Sequence, residues 1–484
     1  MELEAMKKLV NRYRIKHRDI IRESKLAERY YKKQNDILKH GVKMPGEAGS
    51  PLHNADNRIP SNFYNILVNQ KASYLFAAPP MFDVGNKEGN KKITKILGDD
   101  FSRICKKLCI SASNSVIGWL HYWVDENRNF QYAVIDSKQV IPIWAKGDLQ
   151  EKLIGVMRAY DWIDEDGTVL NVYEYWDNSR CWAFAKKNRS GIHALSEYSI
   201  LSYLPQDLPD SPDQTNTISH GFGEVPFIPF FNNAEGGNDL KDIKELVDVY
   251  DKVYSGYLND LEDIQEIIFV LSGYEGEDLK EFLHNLKKYK TIKLDENGDG
   301  KGGLNTLTID IPVEAREKML TITRKSIFEQ GMGIDPDPQN FGNSSGVALS
   351  YLYSLLELKA GLMETEFRSG FNRLIRAICR YLGIEPDSII QTWTRTSVRN
   401  DSELSVIAQQ SAGVVSRRTI LEHHPWVDDA DKELEQLEKE ELEEQAKFEE
   451  QQGYNPFQQP GKAGNQPGKS LPKKEGDPGE GEEV

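Results

Sequence analysis

Four cysteines in a chain of 484 residues leave no material for a disulfide framework. Cys105 and Cys109 stand one helical turn apart, but no third or fourth ligand follows at zinc spacing, so they read as buried thiols. No apolar run approaches the roughly eighteen residues of a membrane helix. The strongest, Val116–Val124 and Ile267–Leu271, fit buried segments. Glu2 to Arg29 is charged and carries no hydrophobic signal region, which argues against secretion and for a reducing cytoplasm. Catalytic signatures are missing as well. There is no GxxxxGK[ST] loop, no GxSxG, no HExxH and no defensible Ser/His/Asp order, so neither a motor ATPase nor a common hydrolase is expected. The nearest approach to a phosphate-cradling loop is AEGGNDL, Ala234–Leu240, without a P-loop lysine. No enzyme, no cofactor and no metal site is expected.

What is present is enough apolar (39%) and aromatic (10%) content to build two or three domains with cores. The net charge of −16 is unevenly placed. Residues 428–484 hold 17 acidic and 7 basic residues, whereas residues 1–40 hold 12 Lys/Arg against 6 Asp/Glu. The basic start reads as the solvated face of an amphipathic helix with Tyr13, Ile20 and Tyr30 turned inward. The overall acidity argues against a protein that grips DNA tightly.

Along the chain, helix is expected over residues 1–40, from Ser61 to Phe76, and from Lys91 to Ile117. Between Gly118 and Pro229 the pattern changes to short alternating strands separated by turn signals, an antiparallel β region. Helix returns at Asn238. Leu240, Ile243, Val247, Tyr250, Tyr254, Tyr257, Leu261, Ile264 and Ile268 step 3-4-3-4, a heptad seam suited to contact between subunits. A small α/β insertion, Gly273–Pro312, separates this helix from a second one, Val313–Gly331, like a tip on a two-helix stalk. Within it, Asp295–Thr306 matches a calcium loop at Asp295, Asn297, Asp299 and Gly300. Position 12 is Thr306 rather than Glu, so a hairpin turn accounts for it better.

Pro336 and Pro338 then break the chain, and Asn343 or Ser344 can cap a new helix running to Gly383. Its apolar stripe includes Leu352, Leu355, Leu356, Leu362, Met363, Phe367, Phe371, Leu374, Ile375 and Ile378. At about 1.5 Å per residue such a rod reaches roughly 55 Å, too long for the inside of one ordinary domain. Gln391–Arg399 reads as strand and Ser402–Lys447 as charged helix. Residues beyond Glu449 lack core formers and are expected to be disordered.

Three blocks carry a family likeness: Asn57–Pro80 (NRIPSNFYNILVNQKASYLFAAPP), Val225–Ile264, which opens VPFIPFFNNAEGGNDL, and Ser344–Ile375 (SSGVALSYLYSLLELKAGLMETEFRSGFNRLI). With Ser411–Glu440 they resemble, in order, the portal proteins of tailed bacteriophages, the subgroup of long non-contractile-tailed phages of Gram-positive hosts. The resemblance implies a predominantly helical α+β portal fold. Its parts would be a wing (1–237), a first stem helix (238–272), a clip (273–312), a second stem helix (313–333), a tunnel loop (334–346), a spine with a return to the wing (347–397) and a crown (398–448); the acidic tail (449–484) departs from a minimal portal. It also implies a dodecameric ring at one capsid vertex, made in the host cytoplasm and located in the virion. Double-stranded DNA would pass through it non-specifically. Terminase, a head-completion or tail-adaptor protein, and the major capsid and scaffolding proteins would be partners, with no membrane involved. In that frame Asp335, Asp337, Gln339, Asn340, Asn343, Ser344 and Ser345 form a polar, slightly anionic loop facing the DNA. Lys318, Arg324 and Lys325 are the basic stem residues for touching it, with inter-subunit ion pairs or plain solvation open beside that role. The competing reading is an oligomeric helical adaptor or scaffold without a channel.

Overall fold

The first helix, α1 (Leu3–Tyr31), stops short of residue 40, because the chain turns at Lys33 (φ 59°) into a 3-10 segment, Asp36–Lys39. The computed structural model describes residues 1–39, 55–145, 152–199, 216–263, 268–272, 303–307, 312–336, 346–395, 401–427 and 429–453. Two compact units divide the chain, Met1–Val398 and Arg399–Val484.

After α2 (Phe63–Leu75), a short strand β1 (Met81–Asp83) leads to α3 (Lys87–Leu97). The Asn86 side chain caps α3 by accepting from the amides of Glu88 and Gly89. One helix over Lys91–Ile117 was expected and two form. Gly98, at φ 67°, ends α3, and α4 (Phe101–Ser115) restarts beyond it. The β region follows the expected strands closely: β2 (Ile117–Val124), β3 (Phe130–Ile135), β4 (Val140–Trp144), β5 (Leu153–Ile163), β6 (Val169–Trp176) and β7 (Arg180–Lys187). Short strands β8 (Ser196–Glu197) and β9 (Thr217–Ser219) both pair with β7, and β10 (Phe227–Phe231) returns to β2.

Two antiparallel sheets result, β10-β2-β3 and a larger one built on β4-β5-β6-β7. The smaller sheet is covered on both faces. Leu120, Tyr122, Ile228 and Phe230 turn to the helices, while Trp119 and Phe227 turn to Val156, Trp176 and Cys181 of the larger sheet. That two-sided cover is why residues 118–122 are all buried and show no alternation. The larger sheet alternates strictly along β6.

Helix α5 (Lys244–Asp263) is shorter than expected. Ile268 lies in strand β11 (Ile268–Ser272), which pairs antiparallel with β12 (Gly303–Leu307), so the insertion's sheet starts before Gly273. Thr306 sits in β12 opposite Phe269, whereas residues 295–302 of the calcium-like stretch fall outside the described residues. Next come α6 (Val313–Gln330) and the rod α7 (Gly346–Leu382), a single 37-residue helix.

Leu356, Ala360, Met363, Phe367, Phe371, Leu374, Ile375 and Ile378 of α7 are fully or nearly buried in the main core. Gly370 allows this approach, because a Cβ there would meet the Phe230 ring at 2.6 Å. The opposite face is different: Tyr351 is 80% exposed, and Leu355, Leu358 and Leu362 also face out, although Leu355 and Leu362 were expected in the packed stripe. Strand β13 (Ile390–Thr392) pairs with β1.

The second unit holds α8 (Asp401–Gln410), α9 (Arg417–Glu422) and α10 (Ala430–Gly453). Ion pairs Arg417–Glu441 and Arg418–Asp431 tie α9 to α10. Helix α10 runs past the expected boundary at Glu449, and the rest of the tail lies outside the described residues. No helix among the described residues is long and apolar enough to cross a membrane.

Candidate functional site

Helix α6 ends in a turn that leads towards α7. The amides of Gly331 and Gly333 donate to the carbonyls of Ile327 (2.9 Å) and Phe328 (2.9 Å), while Met332 between them sits at φ 52°. An unbranched but non-glycine residue in the left-handed region is held there by its surroundings. Those surroundings are α2. A Cβ on Gly333 would lie 2.1 Å from Leu67 Cδ2, so only glycine lets the turn rest on that helix. One turn further along α2, Gln70 Nε2 donates to the Ile334 carbonyl (2.7 Å), and the Ile334 amide donates to Gln70 Oε1 (3.0 Å).

Arg324 closes the turn from the α6 side. Its Nε and Nη2 donate to the Asp335 carboxylate in a fork, with Nη2 to Oδ1 at 2.6 Å and Nε to Oδ2 at 3.0 Å. The sequence placed Asp335 and Arg324 in separate roles, an anionic loop residue and a DNA-facing cation; the structure joins them as an ion pair. Of the other stem cations, Lys318 is exposed, and Lys325 lies 3.7 Å from Glu329 one turn on. Asp337, Gln339, Asn340, Asn343, Ser344 and Ser345 fall outside the described residues.

Lys359 reaches the same turn from α7. Its Nζ donates to the Gly331 carbonyl (2.8 Å) and lies 3.5 Å from Asp239. Asp239 also pairs with buried Lys71 at 2.5 Å, and Asn232 bridges the two, accepting from Lys71 (2.8 Å) and donating to Asp239 (2.9 Å). Burial by itself would raise the Asp239 carboxyl, but the ammonium groups of Lys359 and Lys71 outweigh it and hold the group well below the usual range. Lys359 is pushed down by its burial, and Lys71 nearby works in the same direction. The AEGGNDL stretch is therefore a structural loop. Asn232 and Asn233 both donate to the Gly237 carbonyl, and its aspartate is spent on two lysines. Sequence reasoning passed over Lys71, Asp239 and Lys359, which no motif links.

Only part of the heptad seam is left for another chain. Leu240, Ile243 and Val247 are buried against Phe63, Tyr64, Leu67, Val68, Ile327 and Phe328 of the same chain, and Tyr250 packs beside them. Tyr254 and Leu261 are each 42% exposed, Tyr257 is half-buried, and Ile264 is outside the described residues. The strand position of Ile268 removes it from any helical seam. The four cysteines are buried and unpaired by disulfides, and burial raises each thiol. Among the described residues no His/Cys/Asp/Glu group could hold a metal ion.

A family model described as "Phage portal protein, SPP1 Gp6-like" matches residues 11–447. The chain is 41% identical over 447 residues to a portal protein of Clostridium phage phiCD119, covering 89% of this chain and 94% of the relative. It is 30% identical over 425 residues to the portal protein of Bacillus phage SPP1, covering 85% and 82%. A solved structure described as the neck of a native GTA particle computed with C12 symmetry aligns with 74% of this chain and 88% of its own. Its 12% identity and TM-score of 0.39 are too low to weigh on the fold.

Proposed function

Because the chain belongs to the SPP1 Gp6-like family of phage portal proteins, structural components of the virion with a general role in DNA packaging, we propose that it forms a ring at one capsid vertex. The match to two portal proteins, over 89% and 85% of this chain, carries this reading. Through the ring a terminase drives double-stranded DNA into the head; the same channel releases it on infection, and the ring's outer end joins head to tail. Twelve copies make the ring in the particle.

Exposed apolar faces support a neighbour beside each subunit. Tyr351, Leu355, Leu358 and Leu362 line one side of α7, and Val313, Met319 and Ile322 lie exposed on α6. A monomer would leave these surfaces in water at a cost of about 25 cal/mol per Å². In this reading the tunnel loop, whose residues 337–345 lie outside the described residues, and the exposed cation Lys318 face the channel, and residues 273–312 form the clip that meets terminase or adaptor. Negative-stain microscopy of the purified protein tests it, with rings bearing an open central channel as the expected result. Monomers or closed particles across protein and salt concentrations would instead favour an adaptor or scaffold without a channel.

A further inference from the structure

The turn after α6 is held from three separate helices, and each contact falls on a different atom group. Gln70 of α2 satisfies both the amide and the carbonyl of Ile334, as a neighbouring strand would. Lys359 of α7 takes the Gly331 carbonyl, one of the acceptors a helix end leaves over. Arg324 of α6 itself forks onto Asp335, close to the last described residue before α7. Ile334 between them is 8% exposed, and Gly333 rests against Leu67 with no room for a side chain. A loop needing only a connection would not require a bidentate amide, a positive-φ methionine and a forked ion pair within five residues.

We propose that Gln70, Arg324 and Lys359 are positioning residues that fix where the segment following Asp335 leaves the body of the subunit. Asp335 belongs to this anchorage and is not a free anionic group of the loop. Taken with the channel reading above, on which its functional meaning rests, the anchorage makes the starting point of the channel segment a property of α2, α6 and α7 together. The contributions differ in kind. The Arg324–Asp335 pair is partly exposed, with Arg324 39% accessible, so salt weakens it. The Gln70 contacts are neutral and do not respond to salt.

Hydrogen–deuterium exchange on the full-length assembled protein tests this, following peptides that cover residues 331–335. Gln70→Ala and Arg324→Ala are each expected to speed exchange there by about tenfold or more, with peptides from α2 and the buried half of α7 unchanged. Raising salt should reproduce the Arg324→Ala effect in the native protein and leave the Gln70 contribution intact. Arg324→Glu combined with Asp335→Arg should restore protection lost in Arg324→Glu alone. Unchanged exchange in the single variants, no recovery in the charge-reversed pair, or equal loosening of α2 and α7 would overturn the proposal. Packaging by the same rings reports separately on the channel: rings with faster exchange at 331–335 that still package normally keep the anchorage and discard the channel role of this segment.

Discussion

His121 shows how a residue without any catalytic part can govern the acid side of the stability curve. Its ring stacks on Phe227 at 4.3 Å and on Trp123 at 5.5 Å, with Trp176 edge-on, and Nδ1 bonds the Pro226 carbonyl at 2.8 Å. Burial pulls its pKa down to about 3, against the opposing pull of that carbonyl. The folded imidazole therefore binds a proton later than the unfolded one. Its contribution is complete above the ordinary imidazole range and drains away as pH falls from about 6.5 towards 3. His121→Phe should flatten the pH dependence of stability in that window, measured by urea unfolding at a series of pH values. The Pro226 carbonyl keeps the Tyr122 amide as donor (3.1 Å), so the substitution leaves no bare acceptor. An unchanged acid limb would mean that His17 and His220, also lowered by burial, carry it instead. Such groups are illegible in sequence. His121 lies in a strand covered by helices on one face and by the larger sheet on the other, and Lys71, Asp239 and Lys359 meet from distant parts of the chain with no shared motif.

Elements were far more legible than sites, and α7 shows both the reach and the limit of periodicity. Its length is written in the apolar spacing, whereas the expected caps Asn343 and Ser344 lie outside the described residues. Which leucines are buried is not written there, because this helix carries apolar residues on two faces and only one of them packs on the core. Phe367 and Met363 are fully buried, whereas Leu358 and Leu362 are 54% and 53% exposed. Phe367→Ala should therefore cost the subunit about 3–5 kcal/mol. The pair Leu358→Glu with Leu362→Glu should change its stability by under about 0.5 kcal/mol per site and yet abolish rings. Thermal unfolding and mass photometry on the same samples separate these effects. Rings that persist with both glutamates would remove this face from the subunit contact. The helix expected over Lys91–Ile117 failed for a local reason, one glycine at φ 67°. The heptad seam that runs into α5 is cut back for a tertiary one: Leu240, Ile243 and Val247 are covered by α2 and α6 of the same chain, while Tyr254 and Leu261 stay exposed. The β region was legible because turn chemistry marked nearly every strand end, although burial alternates strictly along β6 and is lost along β2, whose two faces are both covered.

The whole molecule is asymmetric in where its core lies. All five apolar clusters among the described residues belong to the first unit, and the last side chain packed on any of them is Trp393. The second unit has no buried residue among those described, and Val414, Trp426 and Leu442 are 85%, 77% and 66% exposed. Its helices are held by surface ion pairs such as Arg417–Glu441, each worth under about 1 kcal/mol. A helical unit without a core cannot unfold cooperatively by itself, since isolated helices of this length are marginal in water. Calorimetry on a protein ending at Val398 should therefore show a main transition within a few degrees of the full-length monomer. A fragment of residues 399–484 should lose its helical signal gradually on heating, with no calorimetric peak. Within a ring the exposed Trp426 and Val414 would gain cover from adjacent copies, so the fragment's residues should become protected only in the assembled state. A sharp transition in the isolated fragment would show that it holds a core of its own, and a collapsed transition in the truncated body would show that the first unit leans on the second.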